Sequence, residues 1–284
     1  MIKVKNLSFR YRGKSHIFRD FSFSAEAGQI YGLLGANGTG KSTLLRLLCG
    51  VLAPESGEVE VLGHRASTQK VAMLCEVAVL PEEVGLPNIT TLEYVRITAP
   101  FYPHFDHEFM TKALAAFEVN PDVRLNSLSM GGRKKVCIAF AMACGTSLLL
   151  LDEPTNGLDI TSKAVFRRLL AEWATPSRTA IISTHQVKDV ENLLDHIVII
   201  DHNGSIVDAS TYEISHRLKF AVESSAEGAL YTQPTLGGWA TVSENTTNSE
   251  SNIDLELLFG AATTHREEIK SILNPSTKYP QPRL

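Results

Sequence analysis

Gly35-Ala36-Asn37-Gly38-Thr39-Gly40-Lys41-Ser42-Thr43 fits the pattern G-x-x-x-x-G-K-[ST]. In that pattern a glycine-rich turn lays successive backbone N–H groups around phosphate oxygens, and residues without a Cβ permit the close approach. Upstream, Ile30 to Leu34 is a short apolar run of the kind that forms a buried strand. Downstream, Ser42 to Cys49 carries leucines at 44, 45, 47 and 48 and meets Gly50, as a helix with a glycine stop does. Strand, loop and helix follow in the order a phosphate loop requires. The helix N-terminus adds a partial positive charge, Lys41 would reach the β- and γ-phosphates, and the Ser42 hydroxyl would hold Mg²⁺.

A second stretch, Leu148 to Glu153, is an apolar strand ending in two carboxylates. Asp152 at its tip places a negative charge where Mg²⁺ must be held, while Glu153 can take a proton from an attacking water. A strand ending at a solvated acidic turn is the blander account, and the phosphate loop upstream weighs against it.

Around these two stretches the chain divides by pattern. Ile2 to Tyr11 and Phe21 to Ala25 alternate apolar with polar, as half-buried antiparallel strands do, and Pro54 to Gly57 turns into another alternating strand, Glu58 to Leu62. Val77 to Leu80 is a short strand stopped by Pro81. From about Gly85 to Cys144 helical patches separated by prolines indicate an inserted helical subdomain. Strand character returns at Ala180 to Ser183 and Ile197 to Ile200, with an amphipathic helix carrying Val165, Phe166, Leu169, Leu170 and Trp173 before them. This alternation predicts a parallel sheet with helices on both sides. Asn203-Gly204 marks a hairpin. Beyond about Thr211, three short strands (219–222, 228–232 and 238–243), a loose polar segment 244–252, a helix over 253–262 and a last helix capped by Thr264 and Glu267 are expected, then a disordered tail from Asn274.

Composition narrows the partners. With 44% hydrophobic residues among 284 the chain has material for a large core, and a formal charge of −4 gives no reason to expect a nucleic-acid binder. The four cysteines, at 49, 75, 137 and 144, lack metal-ligand spacing and lie among apolar residues, which favours the cytosol. The longest apolar run, Val136 to Leu151, is shorter than the about 20 residues of a membrane span and is broken by Gly145, Thr146 and Ser147. A buried helix running into a buried strand explains it better.

Further short motifs complete a series that resembles the nucleotide-binding subunit of an ATP-binding cassette (ABC) transporter. Leu128-Ser129-Met130-Gly131-Gly132 resembles the family signature Leu-Ser-Gly-Gly-Gln, Gly157-Leu158-Asp159 the loop after the two acids, and His185 the switch histidine following a strand. Tyr11 stands where the family places an aromatic that stacks on adenine. The resemblance spans residues 1–210 and implies an α/β P-loop NTPase fold. Its parts would be a RecA-like core, an N-terminal antiparallel β-subdomain, the helical subdomain at about 85–145 and a small C-terminal α+β extension over 211–284.

The same resemblance implies ATP and Mg²⁺ as ligands, with Glu153 as base, and His185 and Lys41 acting on the γ-phosphate. Ser129, Gly131 and Asp159 of one copy would complete the site of another, so that two cassettes, identical or paralogous, close head to tail on two ATP. The implied partner is a separate membrane permease, which would place the chain in the cytoplasm on the inner face of the membrane. Where the family commonly has Gln, Leu80-Pro81-Glu82-Glu83 offers Glu82, whose carboxylate can still contact Mg²⁺ or water. Met130 and Gly132 replace two signature residues, as in bacterial export-type subunits. The rival is a non-transport cassette ATPase acting on nucleic acid or ribosomes, but the long insertions or fused second cassette of such members are absent from this sequence.

Several residues have ordinary explanations. His104 and His107 flank Asp106 without an apparent third ligand, so a surface role is favoured over a metal site. Tyr94, Phe101, Tyr102 and Phe105 suit core packing and, by resemblance, the docking region of the membrane partner equally. Arg133-Lys134-Lys135 reads as a solvated helix face.

Overall fold

The computed structural model describes residues 1–201, 204–247 and 249–273. Strands β1 (Ile2–Arg10) and β2 (His16–Ala25) alternate buried and exposed positions and pair antiparallel, from Ile2 opposite Ala25 to Arg10 opposite His16. β3 (Ile30–Leu34) is buried throughout and leads into α1 (Lys41–Leu48). β4 (Ser56–Val61) and β5 (His64–Arg65) complete a four-stranded sheet of order β2-β1-β4-β5. Its inward residues, among them Val4, Phe9, Phe21 and Phe23, share one apolar core with Leu44, Leu45, Leu47 and Leu48 of α1.

A one-turn helix α2 (Val71–Leu74) precedes β6 (Val77–Leu80). The helical stretch then contains α3 (Thr91–Thr98), α4 (His107–Ala116) and α5 (Met130–Ala143), each begun by a side-chain cap. Thr90 and Glu93 form a reciprocal capping box, Asp106 accepts from the Phe109 N–H at 2.8 Å, and Ser129 accepts from the Gly132 N–H at 3.1 Å. Asp106 thus serves as the cap of α4. Tyr94, Tyr102 and Phe105 gather around Phe140 at 5.0, 6.0 and 5.3 Å between ring centroids and pack, partly buried, against the core, whereas Phe101 is exposed.

β7 (Leu148–Asp152), α6 (Ile160–Trp173), β8 (Thr179–Ser183), β9 (His196–Asp201) and β10 (Gly204–Ser210) finish a six-stranded sheet of order β10-β9-β3-β8-β7-β6. All pairings in it are parallel except that of β10 with β9. Because successive side chains of a strand point to opposite faces, Leu149 and Leu151 of β7 join the core that holds α5 and α6, while Leu148 and Leu150 join the core that holds α1. Helices therefore cover both faces. The phosphate loop follows β3 and the two acids close β7, so both lie at carboxyl ends of parallel strands, where open α/β sheets bind ligands. Asn203 lies outside the described residues; the strands flanking it pair as expected of a hairpin.

After β10 come α7 (Thr211–Arg217), capped by Ser210, and a three-stranded antiparallel sheet of β11 (Leu218–Glu223), β12 (Tyr231–Thr235) and β13 (Gly238–Glu244), with β13 central. Helices α8 (Leu255–Thr264) and α9 (Arg266–Leu273) follow. Leu255, Leu257 and Leu258 of α8 join the core that contains Val187 and Val190, so the extension is seated on the segment just past His185.

Four expectations need correction. The described residues on either side of 248 in the segment 244–252 are tied down rather than loose: the Asn245 N–H donates to the Arg217 carbonyl and the Ser251 N–H to the Ser215 carbonyl, each at 2.9 Å, while Asn248 lies outside the described residues. Thr264 does not cap the last helix; it ends α8, and its hydroxyl donates back to the Gly260 carbonyl at 2.8 Å. α7 and the later start of β12 at Tyr231 differ from the sequence pattern. Lys134 is not on a solvated face, being only 4% exposed. The tail from Asn274 lies outside the described residues.

Candidate functional site

The phosphate loop is shaped by contacts that leave no room for side chains. A Cβ on Gly35 would sit 2.6 Å from the Ile200 carbonyl oxygen, and Gly40 has φ +105° with a Cβ that would meet Ile17 at 2.5 Å. Thr39 is buried, its hydroxyl donating to the Ala36 carbonyl at 2.9 Å, and Asn37 and Gly38 form the exposed crest. Lys41 folds back beneath this crest. Its Nζ donates to the carbonyls of Gly35 at 2.7 Å and Ala36 at 3.2 Å, and the side chain is almost wholly buried. Burial pushes its pKa down, while the charges of Glu153, Asp152 and Glu82 oppose that shift. Each of those three acids is therefore within electrostatic reach of the lysine.

At the end of β7, Asp152 is 5% exposed and accepts a short hydrogen bond from the Ser183 hydroxyl, its register partner on β8. Glu153 has φ +46°, a left-handed conformation that costs about 1–3 kcal/mol for a residue with a side chain and is tolerated where surroundings enforce it. Its own N–H donates to the Ser183 carbonyl at 2.9 Å, which holds the turn. The carboxylate is buried and lies 2.9 Å from His185 Nδ1, with the His185 backbone N–H donating to its other oxygen at 3.4 Å.

Ser42 and Thr43 open α1; the Thr43 hydroxyl is 3.3 Å from the Tyr11 hydroxyl, and the Tyr11 ring stands edge-on to Phe9. Ser129, Gly131 and Asp159 form a second patch. A Cβ on Gly131 would lie 2.9 Å from the Gly157 carbonyl oxygen, so the signature turn rests on the loop after the acids. Asp159 caps α6, accepting from Ser162 N–H at 2.7 Å and from the Thr161 hydroxyl at 2.6 Å, bonds that hold its carboxyl well below the usual range. Among the described residues no hydrogen bond or ion pair joins this patch to the phosphate loop.

The donor set suits a magnesium–triphosphate pair. Lys41 is a buried cation bonded only to neutral carbonyls, with no carboxylate in ion-pair distance among the described residues, and so can turn to an anion. Ser42 and Asp152, with Glu82, are hard oxygen donors, and Mg²⁺ in phosphate sites takes one or two carboxylates and fills its remaining positions with phosphate and water. Such a site needs no dense protein cluster.

Two contributors escaped the sequence pattern. Ser183 is the one polar residue at the end of an apolar strand, a signal that becomes meaningful once β8 is known to lie beside β7. Lys134 donates from Nζ to the Glu82 carbonyl at 2.9 Å and the Pro81 carbonyl at 3.4 Å, and nothing in its basic neighbourhood announces that.

Fold and site together define a phosphate-loop nucleotide-binding protein of the α/β class. The ABC transporter family pattern matches residues 18–156. The ABC transporter ATP-binding protein NatA of Bacillus subtilis is 31% identical over 217 residues, covering 73% of this chain and 88% of that protein. The bacitracin transport ATP-binding protein BcrA of Bacillus licheniformis is 30% identical, covering 75% and 70%. Among solved structures, an ATP-binding subunit of an ABC transporter superposes with a TM-score of 0.68 at 24% identity over 75% of this chain and 91% of that one, which supports the fold. The chain belongs to the ABC transporter family as an ATP-binding subunit, and it is an ATPase.

Proposed function

We propose that this chain hydrolyses ATP as one of two cassettes, identical or paralogous, that close on two nucleotides and thereby drive a separate membrane permease. Residues 1–210 form the cassette, and 211–284 an extension that contributes dimer contacts or regulation. The observation that carries the hydrolytic reading is the buried Glu153 carboxylate at the tip of β7, held against His185 within electrostatic reach of Lys41.

In this reading the backbone of residues 35–43 cradles the phosphates and Tyr11 packs on adenine. Lys41 exchanges its carbonyl partners for β- and γ-phosphate oxygens. Ser42, Asp152 and Glu82 would hold Mg²⁺, which when bound neutralises charge on those oxygens. Glu153 accepts the proton of the attacking water, and His185 stabilises the charge developing on the γ-phosphate. Ser129, as the N-cap of α5, and Gly131 offer an exposed helix N-terminus to the γ-phosphate of a second copy, with Asp159 beside them. Hydrolysis removes the group both copies share, and the difference in affinity between the ATP and ADP states drives the cycle.

Export is the favoured direction. A relative named for Nod factor export, from Cupriavidus metallidurans at 27% identity, supports it together with Met130 and Gly132 in the signature. No helix among the described residues is long and apolar enough to cross a membrane, which supports a peripheral subunit on a separate permease. No nucleic-acid partner is expected from a formal net charge of −4.

The test is recovery of tagged chain from detergent-solubilised membranes of its source. Co-purification with a polytopic permease, and a doubling of mass of Glu153→Gln on adding Mg-ATP, are expected. A chain that stays monomeric with ATP and recovers with nucleic acid or ribosomes overturns the reading.

A further inference from the structure

Lys134 stands in the first turns of α5, the helix that Ser129 caps, and it is turned away from water. Its ammonium is bonded to two main-chain carbonyls, those of Glu82 at 2.9 Å and Pro81 at 3.4 Å, from a segment 52 residues earlier in the chain. Among the described residues no carboxylate is within ion-pair distance of it. Taking an ammonium out of water is expensive, and two neutral acceptors only partly offset the loss; an apolar side chain of similar volume often does as well or better for stability. Burial lowers the pKa of Lys134, and Asp152, Glu82, Cys137 and Glu153 oppose the shift, the three carboxylates among them being those of the nucleotide site.

The carbonyls it grips belong to the turn that carries Glu82, the position at which this chain has a carboxylate in place of an amide. That side chain is exposed. Glu82 is within electrostatic reach of both buried lysines, Lys41 and Lys134. On the other side, α5 begins with Ser129 exposed at the helix end, little more than one turn before Lys134.

We propose that Lys134 is a positioning residue: it fixes the Pro81–Glu83 turn so that Glu82 serves the magnesium–nucleotide site, and it ties that turn to the helix whose tip meets a second copy. The inference rests on the nucleotide-site reading above. It adds a path by which engagement of Ser129 is felt at the Glu82 of the same chain, because α5 cannot shift without drawing on those two carbonyls.

The test is a Mg²⁺ titration of the binding of a fluorescent ATP analogue to the full chain, without turnover. Lys134→Met is expected to weaken the apparent Mg²⁺ affinity about tenfold, the lower range for residues that orient a metal ligand, while affinity measured in EDTA stays unchanged. Lys134→Arg, which keeps N–H donors and charge, is expected to restore most of the loss. In a Glu82→Ala background the same Lys134→Met change is expected to add less than about twofold, since the group it positions is gone. If Lys134→Met does not fold, Lys134→Gln takes its place in both backgrounds.

An undiminished Mg²⁺ affinity in the lysine variant, or an equal loss with and without the Glu82 carboxylate, overturns the inference while leaving the site reading intact. A wild-type chain with no Mg²⁺-dependent affinity for the analogue overturns both.

Discussion

His185 grips both oxygens of Glu153: its Nδ1 lies 2.9 Å from Oε1, and its backbone N–H donates to Oε2 at 3.4 Å. The carboxylate is buried and the imidazole half-exposed, so the pair presents an acid from the interior and a ring toward the solvent side. Glu153→Gln keeps the volume and removes the base. ATP affinity is expected to change little and phosphate release to fall by roughly a hundredfold or more. Wild-type turnover in that variant would refute the assignment.

Lys41 donates to the carbonyls of Gly35 and Ala36, so a ligand that takes over its ammonium must offer more than two carbonyls do. A triphosphate does, through charge-assisted bonds. ATP at about a hundred times its Kd should add about 2.7 kcal/mol to the stability of the wild-type chain, seen as a rise in melting temperature. Lys41→Ala is expected to lose most of that rise at the same ATP concentration. An equal rise in both proteins would remove Lys41 from the site.

Much of this site was visible in the order of residues because its parts are local. Gly35 to Thr43 contains strand end, loop and helix start in one stretch, and Ser129 announces its cap three residues ahead of the N–H it accepts from. The burial of Lys134 is hidden from the sequence for the opposite reason. A lysine beside an arginine and another lysine reads as surface, and its burial depends on a turn brought over α5 by the path of a distant strand. Thr264 and Glu267 had the right spacing for a cap, yet the threonine hydroxyl found a carbonyl in the turn below and stayed in α8. In the extension, Asn245 and Ser251 hydrogen-bond to α7 although their neighbourhood has the composition of a loop.

Ser183 holds Asp152 through a buried hydroxyl-to-carboxylate bond. Removing it leaves a buried charge short of a donor, which costs about 1.5–3 kcal/mol. Ser183→Ala is expected to lower the unfolding free energy by that order in urea titration and to raise the Mg²⁺ concentration needed for half-maximal ATPase activity. Ser183→Thr, which keeps the hydroxyl, should lie closer to wild type. If both variants match wild type in both measurements, the bond has no role in holding Asp152.

The seat of the extension carries a pH signature. Glu191 follows the segment on which α8 rests, and burial, then the negative charge of Asp254, raise its carboxyl above the ordinary value; Lys188 opposes the shift, though its ammonium is 2.8 Å from Glu256. A carboxyl whose folded pKa exceeds its unfolded one binds more protons in the native chain between those two values. Stability therefore falls as pH rises through the window and is regained on acidification. Glu191→Gln has no proton to lose. Its melting temperature is expected to exceed that of wild type at neutral pH, with the difference shrinking as pH drops through the folded pKa of Glu191. A pH-independent difference, or a variant less stable than wild type at neutral pH, would show that the charge at Glu191 does not burden the docking of α8.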